Sequence, residues 1–299
     1  MQQRKGTYLL GLLWLFCGLG CEKVIPFTPP TPPPTLIVNG LLHSDRPHQI
    51  HLDKLKAIGD SSISFVEGAS VLLRSLTEGW ESRLIEEDSG YYHSSGLRLR
   101  PGGIYQLRAQ RIGYPTIIAM DTMPASPVFQ IKDTSFFVQD GYSYLRIDLE
   151  MEDQEGADFY VVESFLREPN SVEDKFRLAY AAYELEAPTV GDEAGLDFDY
   201  QRLWLSDASW QGQKTRLSLD LDLYYFHDIA ALRNAELIIQ VSAVSQSYFR
   251  YLQTLTNYQN FYYSAALSFE RQFQAVHSNV EGGYGILGCA NAGQVVLRL

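Results

Sequence analysis

Tyr144-Leu-Arg-Ile-Asp-Leu-Glu-Met151 alternates apolar and polar residues over its whole length. Two is the side-chain period of a β-strand, so this run sends Leu145, Ile147, Leu149 and Met151 to a core and Arg146, Asp148 and Glu150 to water. Shorter runs of the same kind, punctuated by Gly, Pro, Asp and Ser, occupy both sides of it. Ahead of it strands are expected at 35–42, 69–76, 82–87, 90–93, 104–110 and 116–120. After it they are expected at 159–166, 176–184, 215–223, 237–244 and 294–299. The break Met123-Pro-Ala-Ser-Pro127 divides the two groups. The fold class is therefore mainly β: an N-terminal sandwich over 36–124, then a second β-rich, sandwich-like domain over 125–299. The acidic stretch Gly191–Tyr200 is expected to project as a long connection.

One segment departs from period two. Tyr248, Tyr251, Leu252, Leu255, Tyr258 and Tyr262 recur at helical spacing behind a capping Ser245 or Ser247, which predicts a helix near 246–263. Its aromatic stripe is expected to pack on a sheet, with one or two of Phe261, Tyr262 and Tyr263 left exposed.

The N-terminus carries a different signal. Arg4 and Lys5 precede the apolar stretch Tyr8–Gly20, and polar, proline-rich sequence begins directly after Cys21. The apolar stretch falls well short of the ~20 residues that span a bilayer, so residues 1–20 read as a signal peptide. Leu15-Phe-Cys-Gly-Leu-Gly-Cys21 resembles the lipobox of bacterial lipoproteins, which implies that Cys21 is acylated and becomes the mature N-terminus. Residues 21–35 contain six prolines and read as a polyproline II tether reaching roughly 40 Å. A proline-rich ligand for a partner domain is the lesser reading.

Removing Arg4 and Lys5 takes the formal charge from −12 to −14. An acidic surface repels nucleic-acid phosphates and anionic headgroups, so a nucleic-acid partner is excluded and the lipid is left to hold the membrane. Of three cysteines, Cys17 leaves with the signal and Cys21 carries lipid, so Cys289 remains alone and reads as a small buried hydrophobe.

Catalytic chemistry finds little support. Gly283-Tyr-Gly-Ile-Leu-Gly288 matches G-x-G-x-x-G, yet the chain has no room after it for a crossover helix and the acidic residue of a dinucleotide site. It reads as a glycine-rich turn before the last strand. His48 and His51 lie three apart in a probable strand, which puts them on opposite faces, unfit to share a metal. His43, His93, His227 and His277 are isolated. Asp220 with Asp222, and Asp197 with Asp199, lack the spacing of an EF-hand loop, so solvated carboxylates are the main reading and calcium the lesser one. No metal site, cofactor or catalytic residue is expected, the lipid on Cys21 apart, and G-x-S-x-G, H-E-x-x-H and P-loop patterns are all missing.

Resemblance adds to this reading. Gly68-Ala-Ser-Val71, Ser89-Gly-Tyr-Tyr92 and Pro101-Gly-Gly-Ile-Tyr-Gln-Leu107 resemble the transthyretin-like or carboxypeptidase-regulatory type of immunoglobulin-like module. Along the whole mature chain, Cys21-Glu22, Leu36-Ile-Val-Asn-Gly40, Val66-Glu-Gly-Ala-Ser-Val71, Gly103-Ile-Tyr-Gln-Leu107 and Ser278-Asn-Val-Glu-Gly-Gly-Tyr-Gly-Ile-Leu-Gly288 resemble the Bacteroidota lipoprotein family known as domain of unknown function 4249. That resemblance implies an outer-membrane lipoprotein, at the cell surface or on the periplasmic face, working beside a TonB-dependent receptor or another large β-barrel. The expected function is a non-enzymatic accessory subunit. Its expected docking surface comprises Asn279, Gly282, Gly283, Tyr284, Gly285 and Tyr262. The alternative, a glycan- or nutrient-binding lipoprotein, draws on 19 Tyr, 15 Phe and 4 Trp and requires exposed Trp80, Trp204 or Trp210.

Overall fold

A computed structural model describes residues 31–44, 46–57, 59–94, 96–153, 158–167, 175–186, 194–197, 201–223, 235–264 and 275–299. The expected signal peptide, Cys21 and most of the expected tether lie outside the described residues. Pro33–Leu55 and Ser62–Leu299 form one compact unit, which holds every strand and the helix. The strands are numbered β1 to β19 in chain order.

The largest sheet has ten strands. From one edge it runs β14 (Ala194–Asp197), β15 (Arg202–Ser206), β11 (Phe159–Arg167), β17 (Glu236–Val244), β19 (Tyr284–Arg298), β1 (Leu36–His43), β2 (His48–Lys54), β6 (Tyr91–Ser94) and β5 (Ile85–Glu86), with β12 (Lys175–Arg177) also on β11. A five-stranded sheet covers one half of it: β18 (Val280–Glu281), β8 (Ile117–Thr122), β7 (Ile104–Gln110), β3 (Ser70–Ser75) and β4 (Glu81–Arg83). A four-stranded sheet covers the other: β13 (Ala179–Leu185), β16 (Lys214–Asp222), β10 (Tyr142–Glu152) and β9 (Val128–Gln139).

Each pairing encloses a core built by alternation. Leu36, Val38, Leu42, Ile50 and Leu52 meet Val71, Leu73, Tyr105, Leu107 and Ile117 in the first. In the second, the expected inward residues of β10 lie directly opposite buried leucines of β16: Leu145 faces Leu221, Ile147 faces Leu219 and Leu149 faces Leu217. Burying each such side chain is worth ~1.5–3 kcal/mol. The polar alternates face water, where Arg146 grips Asp220 through two hydrogen bonds of 2.7 Å.

The mainly β fold matches expectation, but the boundary at 124/125 does not separate the sandwiches. The reason is β19. Its first half runs parallel to β1, from Tyr284 opposite Ile37 to Ala290 opposite His43. Its second half runs antiparallel to β17, from Ala290 opposite Val244 to Arg298 opposite Glu236. One strand from the C-terminal segment thus completes both sandwiches.

Two further expectations are corrected. The glycine-rich element is not a turn ahead of a strand beginning at 294, because Gly285 and Gly288 lie inside β19. The acidic stretch is not wholly a projecting connection, because residues 194–197 form edge strand β14. Periodicity could not place either, since one segment lacks side chains and the other lacks an alternating apolar face.

Helix α1 (Gln246–Ser264) lies on the open face of the large sheet. Tyr248, Phe249 and Leu252 pack there against Val161, Trp204, Ile286 and Ala290. Tyr258 is exposed, and the side chains of Phe261, Tyr262 and Tyr263 lie outside the described residues. Ser245 is the cap: its Oγ accepts from the Tyr248 N–H at 3.3 Å and from the Cys289 N–H at 3.3 Å. The same hydroxyl donates to the Asp121 carboxylate. Cys289 is buried, with its thiol pushed well up by burial, as suits a packing residue.

Burial also pushes the Asp121 carboxyl up to about 6, against the downward pull of hydrogen bonds from Ser245, Thr122 and Cys289. A raised acid favours its protonated form in the folded state, so this contribution to stability is full below the ordinary value and lost as pH climbs through about 6. Asp121→Asn cannot ionise. Its thermal midpoint relative to the natural chain should therefore rise by a few °C between pH 5 and 7.5, reflecting on the order of 1–2 kcal/mol. A constant difference across that range, read by thermal unfolding, would contradict the assignment.

Candidate binding surfaces

The open face of the large sheet forms a groove beside α1. Register places Asn39 opposite His51 and His51 opposite Tyr91, so β1, β2 and β6 present one row of outward side chains. Leu41 and Gln49 extend its floor, and Tyr248, Tyr251 and Leu255 from α1 form the wall of a cavity of about 300 Å³. His51 stacks on Tyr91 with ring centroids 4.3 Å apart, and its Nδ1 lies 3.0 Å from Asp53 Oδ2. At the far end Arg202 pairs with buried Asp197 at 2.9 Å and donates to the Tyr248 hydroxyl at 3.4 Å. A second recess of about 200 Å³ continues past Arg202, where Glu163 pairs with Arg177 at 2.9 Å.

This groove is shallow chemistry. Among the described residues, the first cavity's lining holds no serine, threonine or cysteine and no carboxylate pair. Arg202 is held by Asp197 and Arg177 by Glu163, while Arg46 lies 3.0 Å from the His43 ring.

The expected docking residues separate into structural and exposed ones. Asn279 is a clasp: its amide donates to the carbonyls of Leu287 at 2.8 Å and Met120 at 3.1 Å, while its Oδ1 accepts from the Leu287 N–H at 3.0 Å. Gly282, Gly283 and Gly285 lie against the backbone carbonyls of Thr116, Leu36 and Val38, where a Cβ would collide. Tyr284 alone of this element shows a large side chain to solvent, at 56% exposure. The side chain of Tyr262, and Cys21 as a whole, lie outside the described residues. The exposed tryptophans that glycan stacking requires are not found: Trp204 and Trp210 are buried, and Trp80 is half-buried with its indole N–H on Glu78 at 2.9 Å.

The candidate metal ligands are mostly spoken for. Asp220 pairs with Arg146, Asp197 pairs with Arg202, and His48 is buried on the face opposite His51. Asp199 lies outside the described residues. Sequence reading missed Asp153, Asp158 and Asp207, whose carboxylates gather only because β15 pairs with β11 and carries the turn after Ser206 toward Asp158.

The clearest exposed apolar surface is the β9–β10 hairpin. Among the described residues, β9 forms the edge of its sheet and pairs only with β10. Beyond the bulge at Asp148/Leu149 its apolar residues lose their cover, leaving Phe136 at 45% and Val138 at 66% exposure on one face and Tyr142 exposed on the other. Phe137 stacks on Tyr144 at 5.2 Å and lies under the Arg146 guanidinium, which stiffens the tip. A long edge strand with uncovered apolar side chains is what natural proteins avoid unless something covers it.

A double β-sandwich with a helix-flanked groove and an uncovered hairpin defines the class: a β-rich protein in which nothing indicates catalysis. The chain belongs to the family described as Domain of unknown function (DUF4249), whose model matches residues 22–295. No curated protein matches it in sequence. Among solved structures it is similar to the full-length major pilin SpaD from Corynebacterium diphtheriae, at 10% identity and TM-score 0.25, covering 71% of this chain and 61% of that one. A putative membrane-anchored protein from the same organism matches at 10% identity and TM-score 0.21, with 72% and 55% covered. The Enterococcus faecalis MSCRAMM ACE matches at 7% identity and TM-score 0.17, with 85% and 97% covered. The chain thus spans about three fifths of the pilin's length.

Proposed function

We propose that this protein is a lipid-anchored, non-enzymatic accessory subunit that docks on a β-barrel protein of the outer membrane, a TonB-dependent receptor or a similar complex, and supports uptake or assembly there. One observation carries the reading: the β9–β10 hairpin offers an edge backbone and the uncovered side chains Phe136 and Val138 in one place. Edge strands bind other β-structure by main-chain hydrogen bonding, with apolar side chains adding affinity. The sequence supports confinement, since acylation at Cys21 would keep the hairpin within tether reach of the membrane and raise its effective concentration beside an integral partner.

The test is a photo-crosslinking residue at Val138 in cells. It should capture a β-barrel protein, and the double substitution Phe136→Asp with Val138→Asp should reduce co-purification at least tenfold without lowering the thermal midpoint. Unchanged recovery of the partner by the double variant, or no adduct from position 138, would remove the hairpin from the proposal.

A further inference from the structure

Asp153, just after β10, Asp158, just before β11, and Asp207, just after β15, converge at one end of the second sandwich. One carboxylate oxygen from each lies within 4.8 Å of the others. Asp153 and Asp207 are only 6% and 2% exposed, whereas Asp158 reaches solvent. Asp153 is fixed by its neighbours, since its Oδ1 accepts from the Tyr160 hydroxyl at 2.7 Å and its Oδ2 from the Gly212 N–H at 2.9 Å. The backbone N–H of Asp207 donates to the Asp158 carbonyl at 3.1 Å, which locks the third acid against the second.

Asp207 is the anomaly. Its Oδ2 is buried and has no hydrogen-bond partner. An unpaired buried oxygen of this kind is costly, and more so for a charged group. Among the described residues no cationic side chain pairs with these three acids, a crowding that a bound cation would relieve. Asp158 also borders, with Glu152 and Tyr160, a cavity of about 20 Å³ that Asp153 and Asp207 do not line, and ~10–15 Å³ suffices for one ordered water beside Asp158.

We propose that Asp153, Asp158 and Asp207 hold a calcium ion. Ca²⁺ takes six to eight oxygens at ~2.3–2.6 Å, so two ligands of one ion lie no more than ~5 Å apart, as these do. Asp207 Oδ2 gains its missing partner. Carboxylate oxygens have two lone-pair directions each, so Asp153 ligates without releasing Tyr160 or Gly212. Water fills the remaining positions beside Asp158. Mg²⁺ fits less well, because it demands near-ideal octahedral geometry at ~2.0–2.1 Å. The ion joins the end of β10, the start of β11 and the turn after β15, and thereby ties the four-stranded sheet to the large one.

The test uses the full chain stripped with a chelator. Tb³⁺ should bind with emission sensitised through Trp210, whose backbone N–H donates to the Asp207 carbonyl at 2.8 Å and whose ring stacks on Tyr160, and CaCl₂ should displace it. Asp158→Asn, half-exposed and tolerable to the fold, should weaken Ca²⁺ at least tenfold. Asp207→Asn should abolish it, whereas Asp220→Asn should leave it unchanged. Adding CaCl₂ should also raise the thermal midpoint of the natural chain but not of Asp158→Asn. Tb³⁺ emission that Ca²⁺ does not displace, equal behaviour of Asp158→Asn and Asp220→Asn, or a thermal midpoint indifferent to both Ca²⁺ and chelator would overturn the site.

Discussion

Gly285→Ala should cost the fold ~3–5 kcal/mol and lower its thermal midpoint by ~10 °C or more, a loss comparable to the whole stability of a marginal protein. Two separate effects combine there. Gly285 sits at φ +106°, where a Cβ is disfavoured, and that Cβ would come within 1.9 Å of the Val38 carbonyl oxygen and 2.9 Å of its nitrogen. The contact is backbone, so no side chain can swing aside. β19 must withdraw from β1, and because β19 also borders β17, both sandwiches lose register. Gly113→Ala separates the two effects, since Gly113 has φ +88° with open space around it. It should cost only ~1–2 kcal/mol, the ordinary penalty for a left-handed residue. Both variants are compared by thermal unfolding. Equal shifts would mean that backbone conformation, not the approach of β1, makes the glycine necessary.

Gly285 also marks where sequence stopped being informative. The strands of each layer were legible because Leu145, Ile147 and Leu149, or Leu36 and Val38, alternate with polar residues and leave one face to bury. The helix was legible from Tyr248, Leu252 and Leu255, and its cap from Ser245. A shared strand has no such signature, because which neighbours β19 takes is decided by close approach at glycines, and an absent side chain shows no preference in a periodic pattern. The same blindness hid β9, whose Phe136 and Val138 have no cover among the described residues. It also hid the acidic triad, where Asp207 reaches Asp153 and Asp158 through a strand pairing that local spacing does not encode. Asn279 was legible as special but not as to its task, since a clasp on Leu287 and Met120 and a docking residue look alike in one dimension.

Cys21→Ser should move the protein from the membrane fraction to the soluble fraction almost completely while leaving its thermal midpoint unchanged. The size of the effect follows from what else is available to hold a membrane. Among the described residues no helix is long and apolar enough to cross one. The formal charge of −12 opposes anionic headgroups, and the exposed apolar residues are dispersed apart from the hairpin tip. Acyl chains contribute ~0.8 kcal/mol per buried CH₂, one chain binds marginally and two or more bind lastingly, so under the proposed acylation of Cys21 its replacement removes nearly all of the affinity at once. The compact unit that holds the described cores begins at Pro33, which is why stability should be unaffected. Fractionation with a high-salt wash decides the matter. If the serine variant stays in the pellet and leaves only when Phe136→Asp and Val138→Asp are added, the hairpin's protein partner, and not lipid, is the principal anchor. If it stays there with both changes made, neither the acyl group nor the hairpin holds it.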